Sequence, residues 1–200
     1  MNDIKAILLD ADGLLIKKQR YFSDILHEQY GVSAEMVIPF FKTRFRDCQK
    51  ATADLKEELV PFLKQWKWEG DVESFLEFWF SQSVVDSDVL DVVRDLRERG
   101  LKCYLATDQE KYRAEYIEKN LGIGHELDGF FYSFESGLSK SDPRFFEVIL
   151  EKLDLSPEEV IFFDDEEENV EVGRSFGIKS VLIDGTEDFR SVAERYVKAI

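Results

Sequence analysis

The chain has 200 residues, of which 44% are hydrophobic and 34% charged, a composition typical of one globular domain or of one domain with a sizeable insertion. Acidic residues outnumber basic ones by 42 to 26, and the formal net charge of −16 disfavours nucleic acid and anionic membranes as partners. No apolar run approaches the ~18 residues of a membrane span, and the acidic residues around the first apolar run argue against a signal peptide. Two cysteines, Cys48 and Cys103, are too few for a disulfide framework and favour a cytoplasmic protein.

Five short apolar runs rich in β-formers predict buried strands, at residues 4–9, 101–106, 130–133, 160–163 and 179–183. Helical patterns lie between them. Ser87 is predicted to cap one helix, Asp142 to cap another that begins with Pro143, and Ser156 to begin a short capping box. Strands that alternate with helices predict an α/β fold with a doubly wound parallel sheet, which binds ligands at the carboxyl ends of its strands.

Residues 16–84 interrupt this alternation with helical patterns and no strand pattern. Asp71 is predicted to cap one helix, and Pro61 to kink or divide another. All three tryptophans lie here (Trp66, Trp68 and Trp79), and core packing among the inserted helices is the simpler interpretation of them, with lining of a pocket as the alternative. Because the block is far too long for a loop, we expect an all-helical cap of residues 16–84 inserted into a core of residues 1–15 and 85–200.

Charged and polar side chains follow the predicted strands where they can meet in one crevice. These residues are Asp10, Asp12, Thr107, Asp108, Lys140, Asp164 and Asp165. Two carboxylates ~4 Å apart repel each other by about 4 kcal/mol at an effective dielectric constant of ~20, so the acidic cluster needs positive charge. Lys140 supplies one charge, and Mg²⁺, which takes carboxylate and phosphate oxygens, supplies more. The cluster therefore indicates a metal, a phosphate group, a carboxylate nucleophile and a second carboxylate that handles protons.

The order of these residues resembles the four motifs of the haloacid dehalogenase (HAD) superfamily of phosphohydrolases. The matching segments are residues 7–13 (ILLDADG), 104–107 (YLAT), 140–143 (KSDP, followed by two phenylalanines) and 161–165 (IFFDD, with Asn169 after it). They extend over most of the chain. The resemblance implies a Rossmann-like core with an inserted helical cap of the family's first type, Mg²⁺ as the cofactor and an aspartyl-phosphate intermediate.

By this resemblance Asp10 is the nucleophile and a metal ligand. Asp12 is the acid/base and binds the metal through its backbone carbonyl. Thr107 and Lys140 hold the phosphoryl oxygens, with Asp108 beside them in the phosphate-binding set. Each of these residues follows a predicted strand or lies just before a predicted helix.

The resemblance also makes Asp165 the third metal ligand, because Asn169 follows it by four residues, and places Asp164 behind the ligands or bound to the metal through water. Two residues depart from the family pattern, since Asp108 stands where Asn is frequent and Glu166 stands where a small residue is usual. Both add negative charge near a phosphate group. Asp108 is predicted either to face the phosphate or to cap the helix that follows it.

Together these observations predict a Mg²⁺-dependent phosphatase that hydrolyses a small phosphorylated metabolite through an aspartyl-phosphate. A phosphomutase shares the phosphoenzyme and stays open as an alternative, as does a catalytically weak phosphate-binding homologue, which Asp108 and Glu166 favour. A phosphoacceptor signalling module uses similar residues, but its motifs follow the reverse order and it has no cap. Dehalogenation is disfavoured because Asp12 is retained. The sequence leaves the particular substrate and the oligomeric state open.

Overall fold

The computed structural model describes residues 3–17 and 20–197. The described residues form a five-stranded parallel sheet in the order β3-β2-β1-β4-β5. Its strands are β1 (Ala6–Leu9), β2 (Lys102–Thr107), β3 (Gly129–Tyr132), β4 (Val160–Asp164) and β5 (Lys179–Leu182). All five predicted strands are confirmed, with ends that shift by at most two residues. Because β1 lies between β2 and β4, the residues that follow these three strands meet at one edge of the sheet.

In the described part of the chain, five helices follow β1 and form the inserted helical cap. They are α1 (Phe22–Tyr30), α2 (Ala34–Lys42), α3 (Arg44–Gln49), α4 (Leu55–Gln65) and α5 (Val72–Phe80). As predicted, Asp71 caps α5, since its carboxylate accepts the Ser74 N–H at 2.9 Å. The predicted division of a helix at Pro61 is wrong, because α4 continues through it. Leu59 and Leu63 are buried on either side of the proline, and their packing holds the helix together.

The cap has its own hydrophobic cluster, in which Phe40, Trp66 and Phe75 are completely buried. The two chain segments that connect it to the core run side by side, and Ile16 and Val85 form an antiparallel bridge between them. The chain therefore enters and leaves the cap through two segments that are paired with each other. The exact division at residues 16–84 stays a prediction.

Among the described residues, six α-helices accompany the sheet in the core. They are α6 (Ser87–Glu98), α7 (Lys111–Asn120), α8 (Ser133–Ser136), α9 (Pro143–Leu153), α10 (Glu167–Ser175) and α11 (Phe189–Val197). Asp142 caps α9 and Ser156 begins a capping box, as predicted. The predicted cap at Ser87 is wrong by one residue, because the carboxylate of Asp86 accepts the N–H groups of Asp88 and Val89 and Ser87 is the first helical residue.

Alternate residues of β1 pack on opposite faces of the sheet. Ile7 and Leu9 belong to a cluster with residues of α6, α7 and α11, whereas Leu8 belongs to a cluster with residues of α9 and α10. This two-sided packing is the doubly wound arrangement that the sequence predicts. Cys48 and Cys103 are both buried and form no disulfide. None of the helices in the described part of the chain is both long and apolar enough to cross a membrane.

Candidate active site

The predicted site residues converge on one cavity at the carboxyl edge of the sheet. This core cavity has a volume of about 370 Å³. Asp10, Asp12, Thr107, Asp108, Lys140 and Asp165 all line it. Thr107 lies at the end of β2 and is 2% exposed. Asp164 is completely buried and lies beneath the lining. The parallel sheet therefore brings together residues that are up to 155 positions apart in the sequence.

Lys140 lies between two buried carboxylates. Its Nζ is 2.6 Å from Asp10 Oδ1 and 2.6 Å from Asp164 Oδ2. Burial alone lowers the pKa of the ammonium, but the charges of Asp10 and Asp164 raise it above its usual value, so that Lys140 is protonated at neutral pH. One cation cannot neutralise two carboxylates, and the cluster keeps an unbalanced negative charge whenever both acids are ionised.

Asp10 is the site's most perturbed acid. Burial raises the pKa of its carboxyl to about 7. The positive charge of Lys140 partly opposes this rise in pKa, and the negative charge of Asp164 adds to it. Its Oδ1 is buried and, apart from the ion pair with Lys140, has no hydrogen-bond donor among the described residues. A second cation beside this oxygen would stabilise the ionised form that a nucleophile needs.

Three carboxylates form a group that can hold a metal ion. One oxygen each from Asp10, Asp164 and Asp165 lies within 4.8 Å of the other two. Both oxygens of Asp164 already accept hydrogen bonds, from the Glu166 N–H at 2.8 Å, the Asn169 side-chain amide at 3.2 and 3.3 Å and the Lys140 ammonium at 2.6 Å. Oxygen donors at this spacing suit Mg²⁺.

The Asp165 carboxylate occupies space that is open only because Gly13 has no side chain. A Cβ atom on residue 13 would lie 2.2 Å from Asp165 Oδ2, which is far inside van der Waals contact. The φ angle of Gly13 is also +93°, a backbone conformation that other residues rarely adopt. The glycine of the first motif thus permits both the turn after β1 and the approach of Asp165.

Two side chains that the sequence analysis missed fix the orientation of Asp12. Arg113 Nη2 lies 2.6 Å from Asp12 Oδ1, and Gln109 Nε2 donates to Asp12 Oδ2 at 2.6 Å. Arg113 and Gln109 are both buried, while the Asp12 side chain is 51% exposed toward the cavity. No local pattern could have identified these partners, since the contacts join positions about 100 residues apart.

Asp108 connects the core to both the Lys140 loop and the cap. Its carboxylate accepts the Lys140 N–H at 2.9 Å, and its backbone carbonyl accepts the side-chain amide of Gln49, in α3, at 2.7 Å. Burial raises the pKa of this carboxyl, and Lys140 opposes the shift. The predicted alternative that Asp108 caps the next helix is wrong, because Glu110 accepts the first N–H groups of α7. Glu166, the other departure from the family pattern, is exposed at the cavity rim.

Comparison with known proteins identifies the family of this arrangement. Residues 4–177 match the model of the haloacid dehalogenase-like hydrolases. The chain belongs to this family. The HAD hydrolase is 27% identical over 206 residues to pyrophosphatase PpaX of Bacillus mycoides, and the match covers 96% of this chain and 89% of that protein.

Solved structures of other HAD enzymes share the fold. A HAD family enzyme from Bacteroides thetaiotaomicron matches with a TM-score of 0.83 at 21% identity, covering 96% of this chain and 99% of that one. An aspartate-to-alanine variant of that enzyme, solved in complex with magnesium and inorganic phosphate, matches with a TM-score of 0.80 at 21% identity over 94% and 98% of the two chains. The predicted fold and family are therefore confirmed.

Proposed function

We propose that this HAD hydrolase is a Mg²⁺-dependent phosphatase that hydrolyses a small phosphorylated metabolite through an aspartyl-phosphate on Asp10. The main support for this proposal is the buried ion pairing of Lys140 with Asp10 and Asp164. Lys140 and Asp10 line the core cavity together with Asp165. A carboxylate nucleophile, a fixed cation and a group of oxygen ligands in one cavity are what phosphoryl transfer requires. The magnesium and phosphate bound by the Bacteroides enzyme variant add support.

Asp10, Asp165 and the backbone carbonyl of Asp12 would hold the metal. Asp164 would act behind them, because protein donors already occupy both of its oxygens. When bound, Mg²⁺ would supply positive charge that favours ionised carboxylates and polarises the phosphoryl group. The three neighbouring carboxylates fit such an ion, as does Oδ1 of Asp10, which has no hydrogen-bond donor besides its ion-pair partner Lys140 among the described residues.

In the first step, a carboxylate oxygen of Asp10 attacks the phosphorus atom. The bond between phosphorus and the leaving alcohol breaks, and Asp12 donates a proton to the departing oxygen. Lys140 and the Thr107 hydroxyl hold the phosphoryl oxygens while their charge is redistributed. The products of this step are the free alcohol and an aspartyl-phosphate.

In the second step, Asp12 accepts a proton instead of donating one. Its carboxylate takes a proton from a water molecule, and the water oxygen attacks the phosphorus atom of the aspartyl-phosphate. The bond to Asp10 breaks, which releases inorganic phosphate and restores the Asp10 carboxylate and the protonated Asp12. Arg113 and Gln109 keep the Asp12 carboxylate in one orientation through both steps.

Phosphate release from phosphate monoesters, measured with Mg²⁺ and with excess EDTA, tests the proposal. We expect turnover that requires Mg²⁺ and that Asp10→Asn lowers by a factor on the order of 10³ or more, because an amide is a poor nucleophile. Asp24→Asn, an exposed position in α1, is the matched control and should retain wild-type activity. Full activity in EDTA would contradict the metal assignment, and an Asp10→Asn enzyme with more than a few per cent of wild-type kcat/KM would contradict the nucleophile.

A further inference from the structure

A second cavity, here called the cap cavity, adjoins the core cavity between the cap helices and the core. Its volume is about 360 Å³, within the range of small-molecule sites. Six residues line both cavities: Asp12, Gln49, Asp108, Gln109, Asp165 and Glu166. Because Asp12 lines both cavities, the group whose oxygen it protonates can extend from the core cavity into the cap cavity.

Apolar side chains form much of the cap cavity's wall. They are Ile16, Phe22, Ile25, Phe41, Phe45 and Trp79. Trp79 stacks on Phe22 with ring centroids 5.4 Å apart and meets Phe41 edge-on at 5.1 Å. Phe22, Phe41 and Phe45 are only partly buried, unlike the rings at the centre of the cap. These aromatic rings therefore present apolar surface to the cavity as well as packing within the cap.

The charged lining disfavours a second phosphoryl group in this cavity. The acidic side chains of Asp108, Asp165 and Glu166 line it beside Asp12. Each described cation in the lining already faces a carboxylate: Lys17 lies 3.8 Å from Asp86, Arg20 2.7 Å from Glu28 and Arg113 2.6 Å from Asp12. A leaving phosphate, as in the hydrolysis of pyrophosphate, would add negative charge to this lining at a large electrostatic cost.

The glutamine and serine side chains of the lining also make hydrogen bonds within the protein. The amide nitrogens of Gln49, Gln82 and Gln109 donate to Asp108, Phe78 and Asp12, and Ser83 Oγ accepts from Arg113. A ligand oxygen that needs a hydrogen-bond donor from these side chains would have to displace these bonds or lose its own bonds to water. An apolar group gives up no hydrogen bonds on entering.

We infer that the cap cavity binds an apolar leaving group, so that the substrate class is the phosphate monoester of a hydrophobic primary alcohol rather than pyrophosphate or a sugar phosphate. This inference rests on the proposed phosphatase function. The phosphoryl group occupies the core cavity, and the carbon skeleton of the alcohol lies against Phe22, Phe41, Phe45 and Trp79. Each methylene buried there should raise the specificity constant about fourfold until the cavity is filled.

A matched substrate series tests the inference. In the presence of Mg²⁺, kcat/KM is measured for ethyl, butyl, hexyl and 2-phenylethyl phosphate, and for glycerol 3-phosphate, glucose 6-phosphate and pyrophosphate. The organic substrates are all esters of primary alcohols, so that differences in bond reactivity are small. We expect kcat/KM to rise with chain length and the hexyl and phenylethyl esters to exceed glycerol 3-phosphate and pyrophosphate by about tenfold or more.

A flat alkyl series, or a preference for pyrophosphate or the polyol phosphates, would overturn the inference while leaving the phosphatase function intact. Failure to hydrolyse any of these substrates would instead overturn the proposed function. The two failures are therefore distinguishable in one set of assays.

Two phenylalanine variants test whether the preference for apolar esters depends on the cap cavity. Phe45→Ala removes a ring from the cavity wall, whereas Phe62→Ala removes a partly buried cap ring that packs on Phe40 and Trp66 outside that wall. We expect Phe45→Ala to lower kcat/KM about tenfold for the hexyl ester and less than about twofold for glycerol 3-phosphate. Phe62→Ala should lower the melting temperature but keep the wild-type ratio of the two substrates. An unchanged ratio in Phe45→Ala, or in the milder Phe45→Leu if the alanine variant does not fold, would contradict the inference.

Discussion

Arg113 Nη2 lies 2.6 Å from Asp12 Oδ1, and the same guanidinium donates through Nη1 to Ser83 Oγ at 2.9 Å. Ser83 belongs to the segment that connects the last cap helix, α5, to α6 of the core. The side chain of Arg113 is only 9% exposed, so this cation is held in place by the protein where it lines the cap cavity. The residue that we propose as the proton donor is thereby tied to the connection on which the cap is mounted.

Arg113→Gln should impair proton transfer selectively. Misplacing the Asp12 carboxylate should lower kcat/KM about 10²-fold for an alkyl phosphate, whose leaving oxygen needs a proton in the first step. The loss of kcat/KM should be much smaller for p-nitrophenyl phosphate, whose leaving group departs without a proton, because kcat/KM does not include the second step. Arg113→Lys, which keeps the charge, should retain more activity. Melting temperatures of the variants control for folding, and equal losses on both substrates would show that Arg113 has only a structural role.

Gly13→Ala should weaken both folding and metal binding. The added methyl group would collide with the Asp165 carboxylate, and φ at this position is +93°. Gly185→Ala is the matched control, because φ there is +75° and nothing lies within 4 Å of the added Cβ. The control should lose about 1 kcal/mol of unfolding free energy with unchanged Mg²⁺ affinity. Gly13→Ala should lose more stability and bind Mg²⁺ at least about tenfold more weakly by calorimetry; equal behaviour of the two variants would contradict the assignment of Asp165.

Asp108→Asn should increase the affinity for a phosphate analogue. The amide oxygen can still accept the Lys140 N–H that Asp108 Oδ1 accepts at 2.9 Å, but the variant removes a negative charge from the cavity lining. Orthovanadate should bind several-fold more tightly, and high salt should reduce the gain. Asp108→Leu, which leaves the N–H without an acceptor, should cost about 1–3 kcal/mol of unfolding free energy. Weaker vanadate binding by Asp108→Asn would mean that the carboxylate itself accepts a bond from the substrate.

The metal-free protein should lose stability as the pH rises through neutrality. Burial raises the pKa of Asp10 from its ordinary value of 3.8 to about 7 in the folded state. Between these values the folded state binds more protons than the unfolded state, so the unfolding free energy falls as the pH increases. Urea denaturation in EDTA should show Asp10→Asn gaining stability relative to wild type from pH 5 to pH 8. A constant difference across this range would contradict the raised pKa of Asp10.

The fold was predictable because its signals are local. Each strand of the sheet is a short apolar run, and the predicted site residues other than Lys140 lie at or just after the ends of those runs. Two predictions of helix ends were wrong because tertiary packing, or a neighbouring residue, decided where the helix begins or continues. Pro61 lies inside α4 because the helix is anchored by buried leucines on both sides of it, and Asp86 rather than its neighbour Ser87 caps α6.

The partners within the site were not predictable from the chain. Gln109 lies in the loop after β2 and Arg113 in the helix α7 that follows; both reach Asp12 because β2 lies beside β1 in the sheet. Gln49 reaches Asp108 only because the cap folds over the core. Such contacts depend on the relative placement of distant elements, which no local pattern encodes.

Trapping the phosphoryl group on Asp10 tests the proposed aspartyl-phosphate mechanism most directly. In Asp12→Asn, an activated aryl phosphate should still transfer its phosphoryl group, while the water-dependent second step is slowed by a factor on the order of 10²–10⁴. Acid quenching and peptide mass spectrometry should then find one phosphoryl group, labile to hydroxylamine, on the peptide that contains Asp10, and none in the Asp10→Asn, Asp12→Asn double variant. A phosphoryl group on another residue, or undiminished turnover by the double variant with no phosphoenzyme, would contradict the proposed mechanism.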